Sequence, residues 1–218
     1  MNGKLFIVEG STKSGKNTLC EQLAQKGFVV IRGIPSQNPL ENSDLEPEAK
    51  AIIGDTVFNF KYDLTLPGQL RDQIIDKFTY AADIQHVAAR LMREQGKTII
   101  LNRSAISLTA LMKLTSKFIE PQDPEAALSL STKSEGFVDT LLPKIDGIIL
   151  MTRPFTGMVG KEREGMSGLE EKEAQLICAI ARSLSQERNI PLLELDANNQ
   201  SPEQEMALAQ EFISKSSI

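Results

Sequence analysis

Gly10-Ser11-Thr12-Lys13-Ser14-Gly15-Lys16-Asn17-Thr18 reads GSTKSGKNT, and the segments around it decide how the chain folds. A Gly-x4-Gly-Lys run binds phosphate because small residues let consecutive backbone N–H groups converge, while the following helix points its positive N-terminal end at the same place. The motif counts only between a strand and a helix. Here the apolar run KLFIVE at 4–9 supplies the strand and NTLCEQLAQKG the helix. Gly10 to Thr18 are therefore candidate nucleotide ligands, with Lys16 reaching the terminal phosphates of ATP. One residue departs from the pattern. Asn17 stands where a Ser or Thr hydroxyl ordinarily ligates Mg²⁺; an amide oxygen can also ligate a hard cation, so Asn17 is the candidate metal ligand. Thr18, one residue on, is turned by about 100° and is not its equivalent.

Four further apolar, β-rich runs follow: FVVIR at 28–32, KTIILN at 97–102, DGIILMT at 146–152 and IPLLELD at 190–196. Segments of helical period separate them, among them YAADIQHVAARLMREQG and EEKEAQLICAIARSLSQERN. Continuous apolar strands alternating with helices predict a parallel five-stranded sheet covered on both faces, a three-layer α/β/α sandwich of the P-loop NTPase kind. The expectation is one domain over 1–218. Two stretches break the alternation, a Pro-rich and acidic one beginning at 34 and a Gly-rich one at 153–170. Beside a phosphate loop they read as a substrate-binding insertion over about 34–80 and a lid over about 153–170.

Composition excludes several classes. A net charge of −5 and a pI near 5.1 argue against a surface built for nucleic acid, leaving only a local basic site. Cys20 and Cys178 form no C-x-x-C pair, so neither a zinc site nor a disulfide framework is expected. No run reaches the roughly 18 apolar residues that span a bilayer, which predicts a soluble, cytoplasmic protein. No N-K-x-D appears, so a switch GTPase is not expected. The single histidine, His86, sits mid-helix without a nucleophile motif and reads as a buried structural residue.

In order and approximate spacing, FIVEGSTKSGKNTLCEQLAQKG, FVVIRGIPSQNPL, YAADIQHV, TIILNRSAISLTAL, REGMSGLEEKE and LLELDANNQSPEQE resemble the thymidylate kinases, which are P-loop nucleoside monophosphate kinases. The resemblance implies ATP-dependent transfer to a deoxynucleoside monophosphate, a pyrimidine such as dTMP, with Mg²⁺. It implies that Arg32 and Arg103 grip the acceptor phosphate, with Glu9 and Asp83 also in the substrate site; Phe60 and Tyr80 are candidates for an aromatic face against a pyrimidine. It also implies that Lys13, Lys16, Arg103, Arg153 and Arg163 neutralise the transferring group, and that Asp196, Ala197 and Asn198 lie near adenine. A homodimer would accord with the family. The chain departs from the family at Thr12 and Asn102, where carboxylates are usual, at Lys13, where one subtype has arginine, and at Ile84, near a displaced arginine. Two alternatives stay open: a kinase of a deoxynucleoside or of a hydroxymethylpyrimidine, including one within DNA, with Glu9 as the candidate base; and a nucleotide-binding protein with weak or no catalysis.

Overall fold

Five strands form one parallel sheet: β1 (Leu5–Gly10), β2 (Val29–Arg32), β3 (Ile99–Asn102), β4 (Gly147–Thr152) and β5 (Leu192–Asp196), in the spatial order β2-β3-β1-β4-β5. The computed structural model of the chain describes residues 3–11, 14–32, 68–141, 145–153 and 168–216. Among the described residues, six helices accompany the strands: α1 (Lys16–Gln25), α2 (Gly68–Glu94), α3 (Ala105–Ile119), α4 (Pro124–Leu141), α5 (Gly168–Arg188) and α6 (Pro202–Lys215). All five predicted strands are present within one or two residues of the apolar runs. The pair α3 and α4, which together fill the β3–β4 connection, exceeds the sequence reading, in which α4 was not singled out. Helix α2 also starts at Gly68, so the last part of the predicted 34–80 insertion is regular helix.

Side chains alternate across a strand, and the core follows that period. Leu5, Ile7, Ile99, Leu101, Ile148 and Leu150 pack on one face against Ala89 of α2, Ala105 and Ile106 of α3, and Ile177 and Ala181 of α5. Phe6, Val8, Ile100, Ile149, Met151 and Leu195 pack on the other against Leu19, Cys20 and Leu23 of α1 and Met206 and Ala209 of α6. The three layers follow from this two-sided burial. Neither cysteine is in a disulfide; Cys20 is buried and Cys178 half-buried. Among the described residues, no helix is long and apolar enough to cross a membrane.

Local chemistry sets the helix ends. Ser104 caps α3, its hydroxyl accepting the Ile106 N–H at 3.1 Å. Ser201 and Gln204 form a reciprocal capping box at α6, with Pro202 at the first helical position. At the sheet edge opposite the phosphate loop, Arg93 of α2 pairs with Asp146 at 3.0 Å, and Asp146 accepts the Leu5 N–H at 2.7 Å.

His86 is buried on α2, and its Nε2 has no hydrogen-bond partner among the described residues. Burial pushes its pKa from the ordinary 6.5 down to about 4, against the opposing pull of Asp83. Because the folded value is the lower one, the unfolded chain takes up the proton first as pH falls. Stability from the neutral imidazole is complete above about pH 6.5 and is lost as pH falls towards 4, by about 3 kcal/mol at most. Urea unfolding is therefore expected to show wild type losing more stability than His86→Gln across that window. Parallel losses in the two proteins would contradict the assignment.

Candidate active site

Parallel strands bring all their carboxyl ends to one edge, and there the glycine-rich loop leaves the end of β1. Gly10 closes β1 at φ 144°, with a side-chain position that would collide with the Met151 carbonyl oxygen of β4. Only glycine fits this turn. Gly15 is the N-cap of α1 at φ 89°. Between them the Ser14 N–H donates to the Ser11 carbonyl at 3.3 Å. Lys16, the first residue of α1, is 5% exposed. Its ammonium donates to the Ser11 carbonyl oxygen and, at 3.2 Å, to Ser14 Oγ. Its charge thus lies along the loop's inner wall. Asn17 and Thr18 are exposed on the first turn of α1. Thr12 and Lys13 lie outside the described residues.

The strand period decides where the polar strand-end residues go. Glu9 follows Leu5 and Ile7 onto the α3 face, where it is fully buried. Ser104 Oγ donates to its Oε1 at 2.7 Å and Ser107 Oγ to its Oε2 at 2.6 Å. Burial pushes the Glu9 carboxyl above its ordinary value, while the two hydroxyls, then Arg103 and Lys16, pull the other way. Asn102 follows Ile100 onto the opposite face, towards α1, and is 1% exposed. Its Nδ2 donates to Asn17 Oδ1 at 2.8 Å. Sequence reasoning missed the two serines, although their i, i+3 spacing in NRSAIS was the available signal.

Arg103 follows β3 directly in the left-handed region, φ 68°, its N–H donating to the Val8 carbonyl at 3.0 Å and its carbonyl accepting Gln85 Nε2 at 3.4 Å. The backbone is anchored from both sides at this bend. Arg32 ends β2 in register with Asn102, and Tyr80 lies within α2; their side chains are outside the description. Asp83 is exposed on α2. Arg153, half-buried, follows β4 at the same edge as the loop. Phe60 and Arg163, with most of the predicted insertion and lid, lie outside the described residues.

Asp196 ends β5 and is largely occupied by its own turn. Its carboxylate accepts the Asn198 N–H at 3.0 Å and Asn199 Nδ2 at 2.6 Å, while the Ala197 N–H donates to the Thr152 carbonyl at 2.9 Å. Asp196 thus positions Ala197 and Asn198 through backbone geometry.

Mg²⁺ fits these residues poorly. Asn17 Oδ1 is engaged by Asn102, and both Glu9 oxygens are held by serines.

The same fold recurs in solved kinases. A thymidylate kinase from Candida albicans superposes with a TM-score of 0.65 over 99% of this chain and 93% of its own, at 18% identity. This chain shares their fold. Deoxyadenosine kinase from M. mycoides with bound dATP superposes at 0.62 over 96% and 99%, at 15% identity. The same kinase with bound dCTP superposes at 0.63 over 97% and 99%, at 12% identity. In sequence, a nucleotide-binding protein from Psychromonas ingrahamii is 27% identical over 135 residues, which are 59% of this chain and 48% of the relative. The chain thus spans about half the length of the curated relative it matches. No family profile matches it.

Proposed function

We propose that the protein transfers the γ-phosphoryl group of ATP to the phosphate of a deoxynucleoside monophosphate, a pyrimidine such as dTMP, giving ADP and the deoxynucleoside diphosphate. An acceptor phosphate oxygen attacks the γ-phosphorus as the bond to the β–γ bridging oxygen breaks, and the electron pair leaves with ADP. The observation that carries the choice of acceptor is the seclusion of Glu9. A hydroxyl acceptor must lose a proton to a base, whereas a monophosphate oxygen is already ionised near neutral pH. Glu9, the carboxylate at the end of β1 and the candidate base, is fully buried with each oxygen held by a serine hydroxyl. A phosphate acceptor needs nothing from it.

Charge cancellation and alignment then do most of the chemistry. Lys16 follows the charge on the transferring group, Arg103 and Arg32 hold the acceptor phosphate, and Lys13, Arg153 and Arg163 add positive charge. Phe60, Tyr80 and Asp83 address the acceptor nucleoside, and Ala197 and Asn198 the adenine. Glu9 holds the first turn of α3, and through it the Arg103 bend. The reading includes a cytoplasmic enzyme with small nucleotide substrates and accommodates a homodimer.

The test is ADP release from ATP against a panel of deoxynucleoside monophosphates, deoxynucleosides and hydroxymethylpyrimidine DNA. Turnover with one pyrimidine monophosphate is expected. Label transfer to nucleosides or to DNA, with monophosphates inert, would overturn the choice of acceptor. ATP-dependent thermal stabilisation with no acceptor-dependent ADP release would make the protein a nucleotide binder instead.

A further inference from the structure

We infer that Asn17 serves the nucleotide as a hydrogen-bond donor to phosphate and not as a metal ligand, with Asn102 setting the direction of its amide. The inference rests on reading residues 10–18 as a nucleotide phosphate loop. A carboxamide is planar, with its oxygen and its NH₂ group on opposite sides. Asn17 Oδ1 faces inward and accepts Asn102 Nδ2 at 2.8 Å. Its NH₂ group therefore faces away from β3. Asn17 is exposed on the first turn of α1, where the helix N–H groups already favour anions.

Asn102 is built to hold that orientation. It is 1% exposed, and the strand period aims it at α1. Its own Oδ1 is fully buried and has no partner among the described residues. That oxygen is shielded from the open side of the loop, and Mg²⁺, which gives up its waters reluctantly, would have to shed them to reach it. The amide pair thus turns both of its oxygens inward and leaves donors outward. Glu9 is held by Ser104 and Ser107 on the opposite face of the sheet. The phosphate charge is met by N–H donors and Lys16, so nucleotide binding requires little help from a divalent cation.

A carboxylate at position 102 reverses this arrangement. It only accepts, so Asn17 must offer its NH₂ inward and turn Oδ1 outward, removing a phosphate donor and adding negative charge nearby. The experiment is calorimetric titration of the full chain with ATP, in excess EDTA and in Mg²⁺ at matched ionic strength, for wild type, Asn102→Asp and Asn17→Thr. For wild type, the Kd in EDTA is expected to lie within about threefold of that in Mg²⁺. Asn102→Asp is expected to widen the ratio by about tenfold, the effect of one partly screened charge near the phosphates. Asn17→Thr, at an exposed position where folding is not at stake, is expected to widen it in the same direction by restoring a hydroxyl. Wild-type binding more than about 30-fold tighter with Mg²⁺, with the ratio unmoved by either substitution, would overturn the inference. Absence of ATP binding by folded wild type in both media would instead overturn the phosphate-loop reading.

Discussion

Lys16→Ala is expected to lower kcat about 1,000-fold, roughly 4 kcal/mol of transition-state stabilisation, while leaving the fold intact. The ammonium lies along the inner wall of the loop, donating to the Ser11 carbonyl and Ser14 Oγ, and the side chain is almost wholly enclosed. In that setting a positive charge acts through a low local dielectric and costs little reorganisation as charge moves onto the transferring group. Alanine is an excellent helix former, so the first turn of α1 should survive the change. Steady-state kinetics beside thermal unfolding separate the two effects, and Lys16→Met tests whether the aliphatic stem accounts for either. Retention of kcat within tenfold in both variants would remove Lys16 from the chemistry.

Substitution of Arg103 is expected to split stability from activity. Its φ of 68° is one that non-glycine residues adopt at a cost, and here two hydrogen bonds hold it, from its N–H to Val8 and from Gln85 to its carbonyl. Both bonds are made by the backbone of residue 103 and survive any substitution there except proline. Arg103→Gly and Arg103→Ala should each lose about 100-fold in kcat/KM for the acceptor, because both remove the guanidinium that we propose grips its phosphate. Their stabilities should differ. Glycine relieves the left-handed strain that alanine retains, making Arg103→Gly the more stable of the two by about 1 kcal/mol. Chemical unfolding and acceptor kinetics on the two variants check both halves. Equal activity to wild type in either variant would take Arg103 out of the acceptor site, leaving the bend as a purely structural feature.

Much of the scaffold was legible before any coordinates. Five β-branched runs with helical segments between them demand burial on both faces, and a glycine-rich loop between the first strand and helix has few uses other than phosphate. The extent of α2 was harder to read. Its first twelve residues follow a Pro-rich stretch, and their polar-apolar pattern competes with turn signals. Helix α4, amid Ser, Thr and Gly residues of weak helix preference, takes its stability from packing on α3. In α4, tertiary context outweighed propensity.

The site divides along the same line. The sequence by itself determined the phosphate loop, the lysine at the head of α1 and the position of Asn102 and Arg103 at a strand's carboxyl end, because these depend on spacing within one β-loop-α unit and on the parity of a strand. Only the tertiary structure decided that Glu9 is secluded by Ser104 and Ser107, and that Asn17 turns its amide oxygen inward to Asn102. Those pairs are separated by 95, 98 and 85 residues. Which groups meet across such separations depends on the order of strands in the sheet and on the seating of each helix upon it. No local pattern encodes that information; it arises from burying both faces of the sheet at once.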